Sequence, residues 1–351
     1  MYDIGIRIKA ARQAHNLIQA DLASRLGMRP GQLSKIEHNR TNPSMRTLSR
    51  VAAALDMSVL ELLGQEIQNV KATPEPPQAG IVQRGDLCAL RKGEGLAGLP
   101  PKAVARICTN ERELSELEAA CGVPTGTVLQ LAYPYVKDER GAEVVARAMR
   151  TSLDAGSATF ADLAGLLEFR NVRLHRLSLP KDVHSRAFFH LGERRLSIVL
   201  NARDTPERQT YRLAYELGAA TLFATSGYRT LDTIPAAHRF ASSFAVAFLM
   251  PEESVRATVA QTGLKPDAWN IEALCALKTR FNVSAEALAL RLEELRLILP
   301  SLRLRLRDSL RAHYAAHPDL MEPAPRLPPL HIGMRTELLK IGCEQKKRGQ
   351  P

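Results

Sequence analysis

The stretch from Ile18 to Leu48, IQADLASRLGMRPGQLSKIEHNRTNPSMRTL, decides the fold of the N-terminal part of the chain. Leu22 and Leu26 recur at the spacing of one helix face, and Gly27 supplies the left-handed residue that commonly ends a helix. Pro30 fits the first turn of a second helix, because its missing N–H is not needed there. The pattern therefore predicts two short helices joined by a tight turn.

The second of these helices presents small, amide and basic side chains. Leu33 and Ile36 form its apolar side, and Asn39 can adopt the left-handed conformation that stops it. Its outward positions contain no acidic residue: Arg29, Gly31, Gln32, Ser34 and Lys35. A short helix with such a surface fits the major groove of DNA. The alternative is a three-helix core whose polar face is only solvated.

Residues 3 to 64 resemble the Cro/XRE helix-turn-helix family over its whole length. The matching residues are Arg7, Arg12, Gln19, Leu22, Ala23, Leu33 to Glu37, Asn42-Pro43-Ser44 and Leu55 to Ser58. Asn39 stands where the family usually has glycine. The resemblance implies that the helix around Arg29 to Lys35 reads bases, and that Gln19 and Arg40 bind phosphates. A single motif of this kind contacts few bases, so we expect a homodimer on a double-stranded DNA operator.

The charge of the chain favours a polyanionic partner. The formal net charge is +11 over 351 residues, and residues 1–64 carry nine basic and five acidic side chains. Such a balance is typical of nucleic-acid binding, although many basic proteins bind no nucleic acid. No run of about 18 apolar residues occurs, so the sequence predicts no membrane span.

The five cysteines are scattered along the chain. None of them forms a Cys-x-x-Cys pair, so neither a zinc ribbon nor a thioredoxin-type motif is indicated: Cys88, Cys108, Cys121, Cys275 and Cys343. An odd, dispersed set is typical of reduced thiols in the cytoplasm. The polar start of the chain contains no apolar signal core. We therefore expect a cytoplasmic protein.

Composition and hydrophobic periodicity divide the chain into five segments. We predict a helix-turn-helix domain at 1–66, a Pro/Gly-rich linker at 67–102, a helical connector at 103–141, an α+β domain at 142–300 and a basic C-terminal tail at 301–351. The fold class is mainly α with a small sheet, an all-α domain followed by an α+β domain. Within the connector, Glu116 to Val128 repeats the pattern of Asp21 to Leu33. This indicates either a degenerate second helix-turn-helix or an ordinary corner between two helices.

Strand-like and helix-like patterns alternate within the α+β domain. Strands are predicted at 172–177, 187–191 and 196–200. Helices are predicted at 142–153, from a Thr159 cap to 169, at 206–223, at 236–250, at 271–281 and at 285–298, the last of them ended by Pro300.

Several separated motifs of this domain resemble the IrrE/ImmA family of zinc metallopeptidase domains, over residues 142 to 298. They are Leu200-Asn201, Glu207 to Ala219, Phe244 to Pro251 and Phe281 to Ser284. The motif of that family is His-Glu-x-x-His, in which two histidines at i and i+4 bind zinc and the glutamate activates the metal-bound water. Here Tyr215 and Ala219 stand at the histidine positions, and Glu216 alone remains.

The zinc site is therefore expected to be degenerate. The third ligand of the family is a glutamate on the next helix, where this chain has residues 237–241 with His238 and no glutamate. A site rebuilt from Glu216 and His238 would have two ligands, fewer than the three or four that zinc requires. We expect Tyr215, Glu216, Ala219 and His238 to form a former metal site, with no metal, no cofactor and no catalytic residue.

These patterns predict a sequence-specific DNA-binding transcriptional regulator. Its peptidase-like domain would be catalytically inactive and serve as a sensor or oligomerisation module, with a small-molecule effector or a partner protein as its ligand. One alternative is an active metallopeptidase that cleaves a repressor, against which the missing histidine pair argues. Another is an antitoxin-type autoregulator, which a neighbouring toxin gene would favour.

Overall fold

The computed structural model describes residues 4–15, 17–38, 41, 47, 50–51, 54–55, 87–91, 94–133, 139–227, 234–316, 322–325 and 327–347. The chain divides into two units, residues 1–78 and residues 79–351. Among the described residues, no helix combines the length and the apolarity needed to cross a bilayer.

The first unit contains helices α1 (Ile4–Ala14), α2 (Gln19–Arg25) and α3 (Pro30–Glu37). Its core is a cluster of buried aliphatic side chains from all three helices, together with two later residues, Val51 and Leu55: Ile8, Leu22, Ala23, Leu26, Leu33, Ile36, Val51 and Leu55. Gly27 follows α2 with a φ of +55°, and Pro30 is the first residue of α3. The predicted pair of short helices is therefore confirmed, while the Asn39 stop lies outside the described residues.

A buried ion pair joins the two ends of this three-helix unit. Glu37 is 1% exposed, and its Oε1 accepts from Nε of Arg12 at 2.7 Å. Its Oε2 accepts from Nη2 of Arg12 at 3.1 Å and from Nε2 of Gln19 at 2.9 Å. The hydrogen bond to Glu37 raises the pKa of Arg12. One carboxylate at the end of α3 therefore fixes α1 and the start of α2.

The second unit is built on a four-stranded sheet in the order β1-β3-β4-β2. The strands are β1 (Leu87–Ala89), β2 (Arg173–Leu177), β3 (Ser185–His190) and β4 (Arg195–Asn201). β3 is antiparallel to both of its neighbours, whereas β2 runs parallel to β4. Every residue of β4 is buried, because β4 lies inside the sheet and both faces of the sheet are covered.

Ten α-helices of this unit are described. They are α4 (Pro101–Cys121), α5 (Glu139–Ser152), α6 (Leu163–Glu168), α7 (Pro206–Thr225), α8 (Ile234–Leu249), α9 (Glu252–Thr262), α10 (Ile271–Phe281), α11 (Ala285–Glu294), α12 (Pro300–Ala316) and α13 (Met334–Lys347). On one sheet face, Val104 and Ile107 of α4 pack with Phe188 and Val199. The other face belongs to the main core, which includes α7 and α8.

α7 and α8 approach each other closely at Gly218. A Cβ atom at this position would lie 2.9 Å from Cδ1 of Phe244 on α8, so a larger residue would push the two helices apart. This close packing places the predicted motif residues of α7 next to the start of α8, where His238 lies.

Two helix ends differ from the prediction. Asp162, not Thr159, caps α6, because its Oδ1 accepts from the backbone N of Gly165 at 2.9 Å. α11 ends at Glu294, and Pro300 begins α12 instead of terminating the preceding helix. Proline suits the first position of α12, because the first turn of a helix does not use its N–H.

The described parts of the predicted linker (87–91 and 94–102), connector and tail belong to the second unit. β1 lies within the segment predicted to be a linker, and it forms a strand there because it pairs with β3. α4 ends at Gly122, which has a φ of +67°, and no helix follows within 123–133. Within 116–133, therefore, neither a second helix-turn-helix nor a corner between two helices forms. Leu302, Leu306 and Leu310 of α12 are buried in the main core, and α13 packs against α4.

We expect Glu37→Gln to loosen the first unit selectively. The variant leaves the guanidinium of Arg12 without its carboxylate, a loss of about 3 kcal/mol for a buried pair. In hydrogen-exchange mass spectrometry of the full chain, the amides of α1–α3 should exchange roughly 100-fold faster. Asp21→Asn is the matched control, because Asp21 is exposed and only accepts from the backbone N of Ile18. Equal protection in both variants would contradict the role of Glu37.

Candidate functional site

The outer face of α3 carries the side chains that were predicted to read DNA. Arg29, Gly31, Gln32 and Lys35 are exposed and Ser34 is half-buried, whereas Leu33, Ile36 and Glu37 are buried. The helix therefore separates a core side from an uninterrupted polar side without acidic residues.

Two amide side chains at this surface already have partners within the protein. Oε1 of Gln32 accepts from the backbone N of Arg29 at 3.2 Å, at the start of α3. Gln19 uses one amide hydrogen on Glu37, so its second amide hydrogen remains for another acceptor. Arg40, the other predicted phosphate ligand, lies outside the described residues.

The predicted former metal site lies where α7 faces the start of α8. Ala219 is fully buried and offers no donor atom. Tyr215 is 2% exposed, and its hydroxyl hydrogen-bonds Nδ1 of His238. The rings of Tyr215 and His238 stack with their centroids 5.9 Å apart and their planes at 26°. The structure thus brings the predicted residues together, but Tyr215 and His238 are bonded to each other.

Arg91, which the sequence analysis missed, binds the remaining member of the motif. Glu216 is fully buried, and its Oε1 accepts from Nη2 of Arg91 at 2.9 Å and from Oγ of Ser185 at 2.6 Å. The same Nη2 lies 2.6 Å from Oε2 of Glu94. The guanidinium carbon of Arg91 also lies 5.1 Å from the ring centroid of Tyr215. A fixed cation therefore lies between two carboxylates and against the aromatic ring.

Arg91 is held in its charged form. Burial alone would lower its pKa, but the negative charge of Glu216 and the hydrogen bonds to Glu94 and Glu216 outweigh burial and raise it. Glu216 is consequently paired with a cation that cannot dissociate a proton near neutral pH.

The two aromatic partners are held in their neutral forms. Burial, together with the charges of Glu216 and Glu94, raises the pKa of Tyr215 to about 12, although Arg91 and Arg212 act in the opposite direction. Burial and then the charge of Arg91 lower the pKa of His238. The hydrogen bond therefore joins a neutral phenol to a neutral imidazole.

These residues do not fit a zinc ion. Zinc requires three or four donors, whereas Ala219 has none and the hydroxyl of Tyr215 is engaged by His238. Glu216 Oε2 is buried without a hydrogen-bond partner, but so is Nη1 of the neighbouring guanidinium, which would repel a metal cation at this position. In the part of the chain that the structure describes, no three side chains of His, Cys, Asp or Glu are grouped to hold a metal.

Arg91 lies 125 positions before Glu216, and local sequence pattern does not connect the two. The only signal is the short apolar run Leu87 to Leu90 that precedes Arg91. Such a run among glycines and prolines is compatible with an edge strand, from whose end a side chain can reach a neighbouring helix.

Two family models match the chain, one in each unit. A model described as helix-turn-helix matches residues 8–62, and one described as IrrE N-terminal-like domain matches residues 168–293. The "ImmF control region 10 kDa protein" of Bacillus phage phi105 is 37% identical over 81 residues, which are 23% of this chain and 90% of that protein. The chain belongs to the Cro/XRE helix-turn-helix family. Its second unit carries an IrrE/ImmA-like domain.

Other relatives of this Cro/XRE-family chain match its N-terminal part. The "Immunity repressor protein" of the same phage is 41% identical over 63 residues, 18% of this chain and 44% of the repressor. The "HTH-type transcriptional regulator SinR" of Bacillus licheniformis is 42% identical over 64 residues, 18% of this chain and 58% of SinR. The chain thus spans about half the length of these two relatives.

A solved structure titled "Mycobacterium tuberculosis transcriptional regulator" is 21% identical over 44% of this chain and 46% of that chain. Its TM-score is 0.30, too low to establish a shared fold.

We expect Arg91→Gln to raise the pKa of His238 toward its ordinary value of 6.5. The variant removes a positive charge next to the imidazole but keeps an amide that can donate to Glu216. In the wild type, the lowered pKa means that acidification through 6.5 favours the unfolded chain, which binds the proton more readily. The pH midpoint of the His238 titration can be followed by NMR of histidine labelled with ¹³C at Cε1. Arg112→Met, at an exposed ion pair on α4, is the control, and an unchanged midpoint in Arg91→Gln would refute the coupling.

Proposed function

We propose that this chain is a sequence-specific DNA-binding transcriptional regulator whose IrrE/ImmA-like domain has no peptidase activity. The observation that carries the second half of this proposal is the ion pair between Arg91 and Glu216. The first half rests on the polar face of α3 and on the family of the N-terminal unit.

The DNA-binding surface is the exposed side of α3. Gln32 and Lys35 are one turn apart, so both side chains can face the floor of the major groove. Glutamine pairs with adenine through two hydrogen bonds, and lysine donates to the acceptors of guanine. Arg29, Gly31 and Ser34 complete the face, while Gln19 and Arg40 are assigned to phosphates.

For Gln32, binding of a base exchanges one hydrogen bond for others. Its Oε1 now accepts from the backbone at the start of α3, and its amide group remains available to a base. Gln19 keeps its position through Glu37 and can donate its second amide hydrogen to a phosphate. The buried ion pair of Glu37 with Arg12 thereby orients a phosphate ligand as well as the helices.

The peptidase-like domain lacks the elements of metal-assisted hydrolysis. A glutamate acts on water in this chemistry only when a metal lowers the pKa of that water from 15.7 toward 7. A guanidinium has no vacant orbital for a water oxygen, and here it binds the same glutamate that would take the proton. We assign the Arg91–Glu216 pair a structural role, as the charge-balanced replacement of a metal centre.

The same domain offers room for an effector. A cavity of about 510 Å³ lies among α7, α8, α11 and α12 and is lined by charged, aromatic and aliphatic side chains, including Arg212, Tyr211, Leu290, Tyr314 and Glu322. Tyr211 and Arg212 also contact the Tyr215 ring. A ligand in this cavity would therefore contact residues next to the Arg91–Glu216 pair.

We propose that two copies bind a two-fold symmetric operator. A helix of eight residues reads only a few base pairs, and specificity on a genome requires more. The half-sites would then lie about one helical turn, ~34 Å, apart. We further propose a cytoplasmic location, in keeping with a partner that is genomic DNA.

We expect Gln32→Ala and Arg40→Ala to affect DNA binding in different ways. Gln32→Ala should cost about 1–3 kcal/mol on the best operator and relax preference at one or two base pairs. Arg40→Ala should weaken all sequences alike and reduce the salt dependence by roughly one unit of slope. Titrations against operator and scrambled duplexes at several salt concentrations separate the two effects.

Gln13→Ala is the matched control for these titrations, because Gln13 is an exposed glutamine on α1. If Gln32→Ala lowered affinity for both duplexes equally while Arg40→Ala changed base preference, the assignment of α3 as the reading helix would be wrong. If neither variant differed from Gln13→Ala, the polar face of α3 would only be solvated.

We expect the purified protein to contain no stoichiometric zinc. Its melting temperature should not fall in a chelator, because a metal stabilises a fold only where side chains bind it. Elemental mass spectrometry measures the metal, and differential scanning fluorimetry measures the melting temperature. Arg91→Ala tests whether the cation alone keeps zinc out, and we expect that variant to remain zinc-free because all three family ligands are still missing. One zinc per wild-type chain would restore the metallopeptidase alternative.

A further inference from the structure

Two cysteines that are far apart in the sequence meet between α4 and α13. The Sγ atoms of Cys121, at the end of α4, and Cys343, near the end of α13, lie 2.6 Å apart. Both cysteines are free thiols. A disulfide bond is about 2.05 Å long, so a movement of a few tenths of an ångström would bring these sulfurs to bonding distance.

The surroundings of the two thiols hold them in this position. Sγ of Cys121 donates to the backbone O of Leu339 at 3.3 Å, and Sγ of Cys343 donates to the backbone O of Leu117 at 3.6 Å. Nζ of Lys346 donates to the backbone O of Cys121 at 2.8 Å. Each thiol therefore contacts the other helix, and the contact is part of the α4–α13 interface.

The other end of α13 is fixed to the unit by charges. The side chain of Glu168 accepts from the backbone N of Gly333 at 2.6 Å, and Arg335 forms an ion pair with the buried Glu118 of α4. The register of α13 on α4 is thereby set independently of the cysteines.

The two thiols differ in exposure. Cys121 is half-buried, whereas Cys343 is 8% exposed. A small oxidant can therefore reach Cys121, and the thiol that lies next to it is sheltered from solvent. An accessible cysteine that is oxidised first, next to a second cysteine that resolves it to a disulfide, has this arrangement.

We propose that Cys121 and Cys343 are a site of reversible oxidation, at which a hydroperoxide converts two thiols to a disulfide that joins α13 to α4. The thiolate of Cys121 attacks one oxygen of the hydroperoxide, the O–O bond breaks, and a sulfenic acid forms. The leaving group, an alkoxide or, for hydrogen peroxide, hydroxide, takes a proton to give an alcohol or water. Cys343 then attacks the sulfenic sulfur, the S–S bond forms, and the second oxygen leaves as water. Two electrons pass from the thiols to the peroxide. A small thiol reductant then reduces the disulfide back to two thiols by thiol–disulfide exchange.

The rate of this oxidation should depend on pH. The hydrogen bond to Cys343, burial and the negative charge of a Cys343 thiolate raise the pKa of Cys121, and Lys346 opposes them. Since the thiolate is the reacting form, oxidation should accelerate as the pH rises from 7 to 9.

The test uses the reduced full-length chain, treated with hydrogen peroxide, then unfolded in guanidinium chloride and blocked with N-ethylmaleimide so that buried thiols are also labelled. All five thiols should be labelled before oxidation, and only Cys88, Cys108 and Cys275 afterwards. A tryptic digest should contain the Cys121 peptide joined to the Cys343 peptide. The oxidised protein should melt about 5 °C higher or more, because the new bond closes a long loop, and dithiothreitol should reverse both changes.

Cys121→Ser and Cys343→Ser should each abolish the linked peptide and the rise in melting temperature, whereas the matched control Cys275→Ser should retain both. Cys121→Ala provides a second test at a position where serine could disturb the helix interface. Circular dichroism and melting of the reduced variants show that they are folded. Retention of all five reactive thiols after peroxide, or cross-links between separate chains in place of the Cys121–Cys343 linkage, would overturn the proposal.

Discussion

A buried carboxylate must be neutralised, and in the second unit this requirement is concentrated at Glu216. Glu216 lies on α7, the helix that packs on both the sheet and α8, and no solvent reaches it. An unpaired charge in such a position costs several kcal/mol. Arg91 supplies the missing charge from the end of β1, so the first strand of the sheet is tied to the central helix. The same contact fixes Glu94 and gives Tyr215 a cation against its ring.

The same physical rule operates at two other places in this unit. Glu111 of α4 is fully buried and accepts from His175, Arg173, Arg195 and Ser197 at 2.7–3.0 Å. Burial would raise the pKa of Glu111, but these partners hold it below its usual range. Lys278 of α10, also fully buried, lies 3.4 Å from Glu207 and 3.1 Å from Glu322. Buried charges thus attach α4 to the sheet and the segment after α12 to α10, where apolar packing alone would specify the contacts less sharply.

Elements with local signals were predictable from the sequence. α2 and α3 followed from apolar spacing, Gly27 and Pro30, and β2 to β4 followed from short apolar runs between turn residues. The cluster predicted as a former metal site could be located because Tyr215, Glu216 and Ala219 keep fixed spacing on α7. Arg91, β1 and the folded C-terminal segment were missed, since each depends on a partner more than 40 positions away: Glu216, β3 and Lys278. An ion pair between distant residues leaves no periodicity, and prolines such as Pro300 begin helices as readily as they end them.

The two ends of the described sheet also limit how copies of the chain can associate. β1, at one edge of the described sheet, is a strand of three residues. At the other edge, the side chain of Arg176 in β2 donates to the backbone O of Leu330. A short edge offers few free backbone groups to a strand from another molecule. Edge-to-edge joining of two sheets would therefore gain few hydrogen bonds. If two copies bind one operator, as proposed, a contact through helical surfaces would use side chains, which, unlike backbone ladders, can discriminate between this chain and its relatives.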